Sequence, residues 1–114
     1  MNEELKTIFG DNVDVNGQLV PVAHFRYEGD SKKFITWQII SETPALSAND
    51  EQLFSTVSID VDIFSNSNYL DMVKAIKNLM KNNDWIWVGD SPEQYEDETG
   101  LYHLTSSFEK ERCL

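Results

Sequence analysis

The alternation of apolar and polar positions is clearest between Thr56 and Phe64. There Val57, Ile59, Val61 and Ile63 alternate with Ser58, Asp60 and Asp62, the period of a strand with one face in a core and the other polar. From Asn68 to Asn82 the period changes. Tyr69, Met72, Val73, Ile76, Leu79 and Met80 recur at i, i+3, i+4 and i+7, which predicts an amphipathic helix. Ser67 or Asn68 is placed to cap it, and Asp71 lies in the first turn, where the helix dipole favours a carboxylate. Residues 2–9 predict a shorter helix, with Leu5, Ile8 and Phe9 on one face, Glu3 and Glu4 in the first turn, and Gly10 to end it.

The other segments are read in the same way. Residues 11–18, with Asp, Asn and Gly, read as a loop. Leu19–Tyr27 reads as a strand through Val20, Val22, Phe25 and Tyr27, and Pro21 puts its start at an edge or a strand beginning. The turn Glu28–Ser31 then leads to Phe34–Ile40, where Ile35, Trp37 and Ile39 alternate with Thr36 and Gln38, so the two strands are expected to form a hairpin. Residues 41–51 are polar, hold Pro44 and lack periodicity, which predicts a long mobile loop. Trp85–Val88 is a short strand, with the two tryptophans on one side and Ile86 and Val88 on the other. Asp90–Gly100 is acidic, and Leu101–Phe108 is the last strand, before a charged tail that either frays or extends it.

The expected fold class is therefore α+β. It is a mostly antiparallel sheet of four to five strands with two helices packed on it, in the order helix-strand-strand-strand-helix-strand-strand. A chain of 114 residues without a linker or repeat is expected to form a single domain, 1–114.

Charge narrows the function. Twenty acidic and nine basic residues give a formal charge of -11. That argues against gripping nucleic acid, which needs Lys and Arg to neutralise phosphates, and against an anionic membrane surface. The acidic N-terminal segment has no apolar stretch of a secretory signal, and no run approaches the roughly 20 apolar residues of a membrane span. A lone cysteine, Cys113, is expected to be a free thiol in a reducing cytoplasm.

Motifs that carry chemistry are absent from the pattern. His24 and His103 fall inside strands and outside any nucleophile motif, so each is expected to pack or hydrogen-bond. Asp60 and Asp62 share a strand face without a third converging ligand, and read as the polar side of an amphipathic strand. No Gly-rich phosphate loop and no Cys/His metal spacing occurs, so no enzyme, metal or cofactor is expected.

Most of the chain, roughly residues 17–112, resembles the small tail-completion (tail-terminator, head–tail joining) proteins of lambda-like siphophages and prophages. The likeness lies in the order of pieces: the Phe34–Ile39 strand with its Thr36-Trp37, the Val57–Phe64 strand, the helix carrying Val73-Lys74 and Ile76-Lys77, and the closing run Tyr95-Glu96-Asp97-Glu98-Thr99-Gly100-Leu101-Tyr102-His103-Leu104 followed by Phe108-Glu109-Lys110-Glu111. The resemblance implies an α+β subunit of a hexameric ring, monomeric in solution or not, that caps the tail tube and stops its growth. The filled head docks on it, DNA only passes through the lumen, and the chain ends in the virion after assembly in the host cytoplasm. The implied partners are other copies of the chain, the tail tube protein and the head connector, with no membrane.

Sheet edges and the 41–51 loop, with Pro44 and Leu46, would then be contact surfaces. The stripe Lys74, Lys77 and Lys81 would meet Asp90, Glu93, Glu96, Asp97 and Glu98 of the next subunit. Two other readings stand beside this one. A head-completion or connector protein shares the size and symmetry, and a free acidic inhibitor that mimics DNA would suit the charge.

Overall fold

Period-2 alternation builds the centre of the sheet. The computed structural model describes residues 2–46 and 53–113. Their elements run α1 (Asn2–Phe9), β1 (Asn12–Val15), β2 (Gln18–His24), β3 (Lys33–Leu46), β4 (Leu53–Ser65), α2 (Leu70–Asn82), β5 (Ile86–Asp90), β6 (Gln94–Glu96) and β7 (Leu101–Cys113). The sheet order is β1-β2-β3-β4-β7-β5, with β6 also on β7. On β4, Val57, Ile59, Val61 and Ile63 are all 0% exposed. They sit beside Ile35 and Trp37 of β3 and Leu104 and Phe108 of β7. Leu5 and Phe9 of α1 and Met72, Val73, Ile76 and Met80 of α2 join the same buried cluster. Burying each large side chain contributes about 1.5–3 kcal/mol.

The α+β class, the two helices and the mostly antiparallel sheet agree with the sequence reading. The strand count and order do not: there are seven strands rather than four to five, and four of them separate the helices. Residues 11–18 are not a loop. Asn16 and Gly17 both take positive φ (53° and 88°), the requirement of a tight two-residue hairpin turn, and join β1 to β2. Asp14 Oδ1 accepts the Gly17 N–H at 2.7 Å and fixes that turn. The acidic segment likewise contains β6, which pairs back on β7.

The expected hairpin of residues 19–40 is also corrected. β2 and β3 run parallel, from Val22↔Ile35 to His24↔Trp37. Apolar pattern identifies strands but carries no direction. Here Phe25, at φ 68°, turns the chain out of the sheet, and its N–H donates to the Trp37 carbonyl.

Residues 41–46 are strand, not loop, while 47–51 lie outside the described residues. Past a bulge between Ile39 and Ser41, β3 stays paired with β4 as far as Leu46↔Leu53. β7 pairs with β4 out to Cys113↔Phe54, so the charged tail extends the strand. Ser55 Oγ donates to Glu42 Oε2 at 2.7 Å, and Arg112 Nε approaches the same oxygen at 3.6 Å. Cross-strand polar pairs and the backbone ladder hold this part in place of an apolar stripe. The long strands set the 53 Å long axis.

α2 starts at Leu70, two residues later than expected, with Asn68 Oδ1 accepting the Leu70 N–H. α1 is tied to β7 by Lys110 Nζ, 2.6 Å from Glu4 Oε1.

The sheet face away from the helices carries a ladder of stacked rings. Tyr27–Phe34, Phe34–Phe64 and Phe64–His103 have centroids 4.4, 4.5 and 4.2 Å apart. The Tyr27 ring lies over Gly29, where a Cβ would fall 2.1 Å from the phenol oxygen, which also accepts the Ser31 N–H. Gly29→Ala is expected to displace Tyr27, losing one stack and one hydrogen bond, about 1–2 kcal/mol in urea denaturation. An unchanged midpoint would show that the ring does not need this seat.

Candidate assembly surface

β5 is the outer strand of the sheet at one edge, and residues of its neighbourhood gather around one carboxylate. Asp90 Oδ1 accepts from Ser106 Oγ at 2.6 Å and from Trp87 Nε1 at 2.9 Å, while Oδ2 meets Lys77 Nζ at 3.0 Å. The Lys77 ammonium also lies 4.2 Å from the centroid of the Trp87 ring. Burial works to raise the Asp90 pKa, but the bonds from Ser106, Trp87 and Lys77 outweigh it and hold the carboxyl below the usual carboxylate range. Lys77 and Asp90 thus meet within one chain.

The other expected contact residues are spread over the molecule. Lys74 and Lys81 are exposed on α2, and Glu93, Asp97 and Glu98 are exposed around β6. Glu96 is half-buried, accepts from Thr99 Oγ1 at 3.2 Å and faces His103 Nδ1 at 3.9 Å. Pro44 is exposed on β3. Leu46 holds its place in the β3–β4 ladder, and its side chain, like that of Cys113, lies outside the described residues.

The strand edge itself was only half legible. Trp85, just before β5, is buried at 3% exposure, but Trp87, Ile86 and Val88 are exposed at 50%, 67% and 52%. Four apolar residues in succession leave neither face polar, and that was the available signal. On its inner side β5 pairs with β7 from Ile86↔Glu109 to Asp90↔Ser106.

The histidines pack and hydrogen-bond. His24 stacks on Trp37, with centroids 4.1 Å apart. His103 Nε2 lies 3.0 Å from Asp62 Oδ1, the oxygen that also accepts the Thr105 hydroxyl. Burial raises the Asp62 pKa, but hydrogen bonds from His103 and Thr105 and the His103 charge bring it below its ordinary value. A hydrolytic triad places nucleophile and carboxylate on opposite ring nitrogens. Here Thr105 and Asp62 share Nε2, the hydroxyl proton goes to the carboxylate, and Glu96 faces the other ring nitrogen only at 3.9 Å, beyond hydrogen-bond distance. Asp60 is engaged similarly, accepting from Ser107 Oγ at 2.7 Å.

Among the described residues no group of three His, Cys, Asp or Glu could hold a metal ion, and no helix is long and apolar enough to cross a membrane. Compared with known proteins, the chain matches no family model and no curated sequence.

Asp90→Asn is expected to weaken the fold at pH 7 by about 0.5–1.5 kcal/mol, the net range for hydrogen bonds at a partly exposed site, with a red shift of tryptophan emission. Depressed carboxylates stabilise the fold above their unfolded pKa near 3.9, and that stability is lost as pH falls through the lower folded values. The gap between wild type and Asp90→Asn should therefore narrow below about pH 4 in denaturation curves. A gap independent of pH would remove the charge from the explanation.

Proposed function

We propose that this chain is the subunit of a ring that caps a phage or prophage tail tube, ends its polymerisation and presents the surface on which the filled head docks. The observation that carries the reading is the β5 edge, with Ile86, Trp87 and Val88 exposed in succession. Free proteins blunt such edges with lysine, proline or bulges that twist them away, because a bare strand templates pairing. A bulge between Trp87 and Gly89 bends this strand, yet its apolar side chains remain outside. An apolar edge suits a protein whose work is to be joined. The order of sequence pieces that resembles tail-completion proteins supplies the particular assembly.

Other features support the same reading. The β3–β4–β7 arm gives the subunit a reach of 53 Å along one axis, enough to touch a second partner away from the ring contact. The charge of -11 lets DNA pass through a lumen without adhering. The partners are other copies of the chain, the tail tube protein and the head connector.

Electron microscopy of an induced lysate lacking the gene is expected to show overlong or ragged tails detached from heads. Tail-free filled heads with normal tails would point instead to head completion, and normal virions would overturn the assembly reading. Lys77→Glu is a poor probe of the ring, since Lys77 is held by Asp90 of its own chain. Val88→Lys is better. Its site is exposed, so stability should change by less than about 0.5 kcal/mol, while complementation of the deletion should fail. Full complementation by Val88→Lys would take the β5 edge out of the interface.

A further inference from the structure

We propose that the recess between the start of α2 and β6 is a receptor for a cationic side chain, and that its occupant is Arg26 of a second copy of this chain. The proposal rests on the assembly reading in one respect, that copies meet head to tail.

The recess is a cavity of about 510 Å³, open to solvent and lined by Asn66–Leu70, Glu93 and Tyr102. The Tyr69 and Tyr102 rings stand 6.4 Å apart. Two phenol rings beside a carboxylate are the chemistry that takes a guanidinium or ammonium, through the ring faces and a charge-assisted hydrogen bond. Glu93 is the charged residue in its lining. Burial and then the Glu93 carboxylate push the Tyr69 phenol above its ordinary pKa. The surrounding segment 83–100 carries Asp84, Asp90, Glu93, Glu96, Asp97 and Glu98 and no Lys or Arg. Leu70, 64% exposed, lines the recess, and Tyr95, 54% exposed, has its ring centroid 5.0 Å from that of Tyr102.

The complement lies across the sheet. Strand order puts β1 and β2 at one edge and β5 and β6 at the other. One surface on each edge is the arrangement a heterologous, ring-closing contact requires. At the end of β2, Phe25 is 69% exposed despite a positive φ. Beside it the Arg26 side chain is 79% exposed and holds only the equally open Glu28, at 3.6 Å. The backbone under both is pinned. The Phe25 N–H donates to Trp37 O and the Arg26 N–H to His24 O, each at 2.7 Å. Among the described residues Arg26 is the one exposed cation next in sequence to an exposed aromatic ring. A guanidinium in the recess lies flat on a phenol and meets Glu93, while Phe25 covers Leu70 and Tyr95.

Disulfide trapping with a charge swap tests this. On a Cys113→Ser background, protein with Glu28→Cys is mixed with protein carrying Gln94→Cys at high concentration under mild oxidation. The 28–94 heterodimer should exceed the half share of random pairing. Arg26→Glu in the first protein should return it to that share, and Glu93→Arg in the second should restore the excess. Random pairing throughout, or preferred 28–28 or 94–94 dimers, would overturn the contact. Overlong tails in the deletion lysate together with random pairing would reject this contact and leave the ring reading standing. Heterodimer excess with normal virions would do the reverse.

Discussion

The row of Val57, Ile59, Val61 and Ile63 on the middle strand is the constraint from which the rest of the architecture follows. Each of these side chains is wholly enclosed, and together they can be covered only by apolar groups from both neighbouring strands and from a layer above. β3 and β7 supply the flanks, and α1 and α2 supply the cover. Two helices of this length cover only part of a sheet whose long strands extend well past them. The opposite face and the far end of the sheet must therefore be stabilised by other means. Stacked rings, Asp62 with His103 and Thr105, Asp60 with Ser107, and Glu42 with Ser55 and Arg112 serve that purpose.

Local signals were legible where one residue pattern determined one outcome. The alternation of β4 and the helical spacing of α2 gave those elements within a few residues. The one-sided core followed from the same patterns. What sequence reasoning missed depended on partners distant in the chain. The direction of β2 against β3 is decided by where residues 25–32 lead the chain, and an apolar period cannot express that. Polar residues 41–46 form a strand because β4 holds them on one side, a tertiary effect that overrides weak local preference. The β1–β2 hairpin is different: Asn16-Gly17 between valines was a readable turn signal, and the surrounding polar residues masked it.

The candidate surface divides in the same way. That 90–98 is acidic and 85–88 apolar could be read directly. That Asp90 is occupied by Lys77, Trp87 and Ser106 could not, because Ser106 and Lys77 are brought to it by separate elements. The consequence is a change of emphasis. The charges expected to join subunits partly join elements of one chain, and the apolar edge they frame is left exposed.

The position of β7 bears on when that edge comes into being. It is the last of the described strands in chain order, yet it lies inside the sheet, between β4 and β5, and its pairing with β4 joins residues as far apart as Phe54 and Cys113. Such high contact order slows folding, since a large loop must close before its contacts form. β5 has no partner until β7 is laid down, so a partly synthesised chain cannot display a finished edge. Formation of the β5 edge is thereby coupled to completion of the fold, since it waits for residues 101–113 to be placed.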